Sequence, residues 1–167
     1  MNPVNILFVT TAPVWGGAEI YLEKIIKRLI NTTESGFKPL LLVNNRSNLK
    51  EKLSEFKLPI YETRSSYINI FGFAKKINTI ATKHSVVIVH ANGRRAAVFA
   101  SLANLFFRNK YFFVVTDHTR FMEIKRGFFY SMYQFFSMII HMFVARIADS
   151  VITITEVGRQ ERINRFA

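Results

Sequence analysis

Cysteine is missing altogether from these 167 residues. That excludes disulfides, thiolate nucleophiles and a cysteine-built zinc site, and it fits a reducing compartment. Proline and glycine are scarce, four and seven residues, and they form no linker-like tract, so one domain is expected. Acidic residues are few as well: 11 against 23 Lys and Arg, a formal charge of +12. The excess is evenly spread, with 12 basic and 6 acidic residues over 1–83 and 11 and 5 over 84–167. Such a spread predicts an anionic partner met over a broad face: an acidic membrane surface, a nucleic acid or a phosphorylated substrate. The start lacks a basic leader, and its apolar run is cut by Pro13 and Gly16-Gly17, so no secretory signal is read and a cytoplasmic location is expected. Neither G-x-G-x-x-G nor a P-loop with its lysine occurs, and Asn44 stands where a dinucleotide fold would carry an acidic ribose ligand. Nicotinamide and flavin chemistry is thereby disfavoured.

What is present is a set of short apolar runs at 5–10, 39–43, 60–62, 86–90, 111–116 and 150–155. They are continuous rather than alternating, as strands covered on both faces are. Helical patterns follow them over 18–30, 48–56, 68–82, 94–107 and 126–148, with a last one starting near Glu156. In the first, Leu22, Ile25, Ile26 and Leu29 share a face, and Glu23 and Lys27 are spaced to pair. The alternation predicts an α/β fold: a single Rossmann-like three-layer sandwich with a mostly parallel sheet.

In such sheets ligands bind beyond the carboxyl ends of the strands, which directs attention to the residues after each run. Gly16-Gly17 breaks the first strand and precedes a helix; the pair suits either an anion site, with left-handed backbone and free helix N–H groups, or a purely structural turn. His90 and His118 each end a strand run. They can hydrogen-bond hydroxyls and exchange protons near neutrality, or simply cap the strand ends. Arg94-Arg95 at a helix start suit a phosphate, or are solvated surface cations. His84 is expected to face solvent and His141 to be core or interfacial, and the four histidines have no metal-ligand spacing.

The segment 127–145 carries no charged residue apart from His141 and is crowded with Phe, Met and Ile. Ser131, Gln134, Ser137 and His141 recur on it at three to four residues. A polar stripe of this kind predicts a helix half buried in protein and half greasy outside. An interfacial membrane-binding helix is favoured, ahead of a buried core helix and a true span.

Taken in order, Gly16-Gly17-Ala18-Glu19, Val89-His90-Ala91-Asn92-Gly93-Arg94, Val115-Thr116-Asp117-His118 and Ala148-Asp149-Ser150-Val151-Ile152-Thr153-Ile154-Thr155-Glu156 resemble the N-terminal, acceptor-side domain of family 4 glycosyltransferases. These are retaining enzymes of the GT-B fold, in which two Rossmann-like domains face each other across a cleft. The resemblance implies that Gly16 and Gly17 approach the diphosphate of the donor and that His118 is the catalytic-site histidine beside the reacting sugar. It places Glu19, His90, Asn92, Arg94 and Asp117 as substrate-binding candidates. The implied partners are a nucleotide sugar, which is a co-substrate and not a cofactor, and a lipid-linked or cell-envelope glycan acceptor at an anionic membrane surface. No metal is implied.

There are departures. Asn92 stands where the family often shows a second histidine, and Asp117 adds an acid directly before His118. The residues that hold the nucleotide sugar in the family have no counterpart over 1–167, so a C-terminal donor-binding domain is expected to be absent and the chain to be inactive alone. Two readings follow. One is a glycosyltransferase half working with a separate donor-domain chain, peripheral at the inner membrane face. The other is a non-enzymatic remnant or docking module. A nucleic-acid binder comes third, because the aromatics fall inside strand and helix runs and not among basic residues.

Overall fold

The computed structural model describes residues 3–32, 36–64, 69–107, 111–118 and 128–154. Six strands, β1 (Val4–Thr10), β2 (Phe37–Asn44), β3 (Ile60–Thr63), β4 (Ile88–Asn92), β5 (Phe112–Asp117) and β6 (Ser150–Thr153), form one sheet in the order β3-β2-β1-β4-β5-β6. Every pairing is parallel. Five helices lie between them: α1 (Gly17–Asn31), α2 (Leu49–Lys52), α3 (Ile70–Lys83), α4 (Arg94–Phe107) and α5 (Phe128–Ile147). The expected α/β sandwich is therefore present, with a sheet that is wholly parallel among the described residues.

The period-2 alternation of each strand sorts the core into two halves. Ile6 and Phe8 of β1 pack with Leu41 and Val43 of β2 against Leu22 and Ile26 of α1 and against Leu49 and Leu53. Leu7 and Val9, with Val89, Ala91, Phe113 and Val115, face α3, α4 and Val144 of α5. Phe8, Phe73, Phe99 and Phe113 are fully buried, and burial of such a ring stabilises the fold by about 1.5–3 kcal/mol. Glu23 and Lys27 pair on the outer face of α1 at 3.1 Å.

Three expectations shift. The strand read at 86–90 pairs at Ile88–Asn92: Val87 donates to the Asn5 carbonyl as a lead-in (3.0 Å), and register with β1 begins at Ile6 opposite Ile88. His90 is therefore mid-strand and Asn92 is the strand end. The helix read at 48–56 closes after Lys52, where the Ser54 hydroxyl bonds the Glu51 carbonyl (2.7 Å) and competes with the helical ladder. His84 is half-buried and not solvent-facing; its ring meets the Tyr61 hydroxyl and its carbonyl accepts from Asn5 Nδ2. The segment at Thr155-Glu156 and the last helix lie outside the described residues.

On α5 the greasy and polar faces separate as the stripe predicts. Ser137, His141 and Val144 are buried, while Phe135, Phe136, Ile139, Ile140 and Met142 are exposed. Among the described residues no helix is long and apolar enough to cross a membrane.

Candidate active-site edge

The strand order turns outward in both directions from the β1–β4 seam. At such a switch point the crossover helices diverge and leave a crevice beyond the carboxyl ends of the strands. Thr10 closes β1 there, Asn92 closes β4 and Asp117 closes β5. A hollow of about 760 Å³ lies at the opposite edge, lined by Asn5, Phe37, Leu58 and His84 among others. It sits beside the strand starts, where parallel sheets do not present ligand sites.

Helix α1 begins at Gly17, with Gly16 as its cap in extended conformation (φ −157°, ψ −172°) and no side chain of its own to cap the turn. Neither glycine is left-handed, which corrects the expected turn chemistry. The left-handed glycine at this edge is Gly93 (φ +87°). Its N–H donates to the Thr116 carbonyl (2.9 Å), continuing the β4–β5 ladder by one residue, and its carbonyl accepts from Ala97 to open α4. What Gly17 supplies is space: a Cβ there would meet nothing within 4 Å, so an anion can close on the first-turn N–H groups.

Glu19 points inward. It is buried, and its Oε1 accepts from the Thr10 hydroxyl at 3.3 Å. Burial raises its pKa, offset in part by hydrogen bonds from the backbone at Glu19, the Thr10 side chain and the backbone at Gly16. Glu19 thus ties the start of α1 to the end of β1.

The polar centre is a chain of three groups. Asn92 Nδ2 donates to the Ala18 carbonyl at 3.1 Å, and Asn92 Oδ1 lies 2.6 Å from His118 Nε2. The bond to Ala18 orients the amide, so Oδ1 faces the imidazole and Nε2 must carry the hydrogen. In the neutral ring Nδ1 is then the acceptor. Tyr21, one turn beyond Gly17, meets the His118 ring edge-on at 5.4 Å. Burial lowers the His118 pKa, and the neighbouring Asp117 carboxylate raises it in part, so the half-buried ring is neutral near pH 7 and gains its proton below the usual range.

His90 does not reach the edge. It is buried, stacked at a tilt on Phe8 (5.2 Å between centroids), with Nε2 2.6 Å from the Thr116 hydroxyl. Burial first, and His118 second, depress its pKa to about 4. It supports β5 beneath the crevice as a neutral ring. Asp117 projects to the opposite face of the sheet from His118, toward α5, with Oδ2 3.8 Å from His141 Nδ1. Arg94 lines a narrow void with Asp117, His141 and Ile140, so it turns under α5 and away from the α1 crevice. Asn44 is structural: its amide donates to the Thr11 carbonyl and accepts from the Arg46 N–H. Among the expected site residues the fold gathers Gly16, Gly17, Glu19, Asn92 and His118; it sets His90 behind them and Asp117 and Arg94 across the sheet. Tyr21 went unread in the sequence, although its helical spacing from Gly17 was the signal. Among the described residues no three His, Cys, Asp or Glu cluster as a metal site.

The fold and the edge define a Rossmann-like α/β protein in which a glycine-opened helix start adjoins a fixed histidine. The chain belongs to Glycosyltransferase Family 4, whose model matches residues 15–166. It has the architecture of the N-terminal domain of GT-B enzymes. No curated protein matches the chain. Among solved structures it is similar to the lipopolysaccharide outer core galactosyltransferase WaaB in its apo form, at 14% identity and a TM-score of 0.72, covering 98% of this chain and 43% of that one. It is similar to Anabaena Alr3699/HepE in complex with UDP and glucose, at 19% identity and a TM-score of 0.70, covering 95% and 40%. A glycosyltransferase from Rickettsia africae ESF-5 matches at 22% identity and a TM-score of 0.63, covering 98% and 40%. The chain spans about two fifths of the length of these proteins, and at such identities they establish its fold.

Proposed function

We propose that these residues form the acceptor-side wall of a retaining glycosyltransferase cleft, which moves a sugar from a nucleotide sugar to a lipid-linked or cell-envelope glycan at an anionic membrane surface. The observation that carries the reading is the Ala18–Asn92–His118 chain, which fixes an imidazole beside the glycine-opened start of α1. In this reading the donor's diphosphate approaches Gly16 and Gly17, where first-turn N–H groups face the charge that grows as the sugar departs. His118 orients a hydroxyl of the reacting sugar through its remaining ring nitrogen. That is a positioning task, worth most when the ring cannot rotate. In this reading a donor-binding domain supplies the facing wall that grips the nucleotide. The galactosyltransferase and the UDP-bound neighbour support the substrate class.

The test is sugar transfer by the chain together with a donor-binding domain. Transfer is expected to need both walls and to fall at least about 100-fold in His118→Ala, a loss of roughly 3 kcal/mol of transition-state stabilisation. Turnover by the 167 residues alone, or full activity without His118, overturns it. The exposed apolar face of α5 also supports a docking reading without transfer, which vesicle binding with no transfer in any pairing of the two walls would favour.

A further inference from the structure

Helix α5 turns its apolar side outward, yet the residue it buries against the end of β5 is a histidine. His141 is buried, and its Nδ1 lies 3.8 Å from Oδ2 of Asp117, also buried. That is ion-pair distance, longer than a hydrogen bond. Arg94 of α4 lines the same void as this pair, whose volume of about 10 Å³ is at the lower limit for one water. A carboxylate held this deep needs a polar or cationic neighbour, and α4 and α5 supply them. Asp117 precedes His118 directly in the chain, and the two side chains leave the strand on opposite faces of the sheet.

We infer that His141 is a positioning residue of the site: by facing Asp117 from α5 it fixes the carboxylate behind His118, so that the seating of α5 on the sheet sets the field and orientation of the imidazole on the other side. This rests on the reading of His118 given above, and it extends that site through the sheet to a helix on the opposite face. His118 is faced by Asp117 from its own strand, His90 from β4 and Tyr21 from α1. His141 is faced by Asp117 and Arg94. Asp117 is the group common to both histidines.

The experiment is a ¹³C-histidine NMR titration of the purified chain, which has four histidines to assign. In His141→Leu the carboxylate loses its partner on α5 and acts more strongly on His118, so the His118 midpoint is expected to rise by about 0.5 pH unit. His141→Gln, which keeps a polar group of similar reach, should return it most of the way. With Asp117→Asn in place, the leucine substitution should leave the His118 midpoint unmoved. A midpoint that does not rise, or rises equally without the carboxylate, overturns the inference. Should the leucine variant not fold, Asp117→Asn alone decides it: removal of the shared anion is expected to lower the His118 and His141 midpoints together, and a change at His118 alone overturns it. Because the readout is ring titration, failure here leaves the transfer assay on His118→Ala to judge the functional reading separately.

Discussion

Two glycines at the crevice edge have opposite physical reasons, and substitution separates them. Gly93 turns from β4 into α4 at φ +87° with open space around it, so Gly93→Ala meets no clash and suffers only the backbone penalty. A loss of about 1–2 kcal/mol is expected in urea unfolding. Gly17 opens α1 with ordinary backbone geometry and equal space. Gly17→Ala should hold stability or raise it by about 0.5 kcal/mol, while weakening transfer, because the new methyl stands where the diphosphate would approach. His90 makes a third case. Its folded pKa is near 4 against 6.5 in the unfolded chain. Between these values the unfolded chain binds the proton and the folded one does not, so stability is full above pH 6.5 and falls as pH drops toward 4. The loss attributable to this ring is about 3 kcal/mol at the lower end. The difference between the acid limbs of the native chain and His90→Gln measures it, free of Glu19, whose raised pKa acts in the opposite sense.

At the scale of elements, α5 is the exposed apolar helix. Phe135, Phe136 and Ile139 are 56%, 55% and 44% exposed, too greasy for a face that meets only water. Phe135→Glu with Ile139→Glu changes this face without touching the buried Ser137, His141 and Val144, so the fold should survive. Flotation with anionic vesicles is expected to drop at least tenfold, from the lost burial of two half-exposed side chains at about 1 kcal/mol each and the added repulsion. Unchanged flotation removes the interfacial role of the helix. The split into a greasy outside and a polar inside was readable, because a 3.6-residue stripe of Ser137 and His141 is a local pattern. So were all six strands, whose apolar runs needed both faces covered. The register of β4 was not: Val86 and Val87 are as strand-like as their neighbours, and only pairing with β1 settles that the strand ends at Asn92. That shift of two residues moves His90 from the edge to the interior, which no composition reports. The directions of Asp117 and His118 follow from the alternation along β5, once its end is known. The inward turn of Glu19 depends on where Thr10 comes to lie, a contact fixed by the tertiary fold.

At the scale of the whole molecule, the open strand-end edge, the even positive charge and the apolar face of α5 suit the proposed wall of a cleft. The described edge offers an anion the start of α1 and the polar groups around His118, whereas Arg94 is turned beneath α5. A helix start contributes about 0.3–1 kcal/mol toward one anion at an exposed site, and a millimolar Kd requires about 4 kcal/mol. On the proposed reading, what the described edge offers falls short of holding a nucleotide by itself. Titration calorimetry of the 167 residues with UDP is expected to give a Kd weaker than about 1 mM, and pairing with a donor-binding domain should tighten it severalfold beyond that domain alone, since the α1 N–H groups then act in a space from which water is excluded. Gly17→Val should remove that increment and leave the donor domain's own affinity intact. Micromolar binding of UDP by this chain alone would show a complete nucleotide site on this wall, and the half-cleft reading would fall with it.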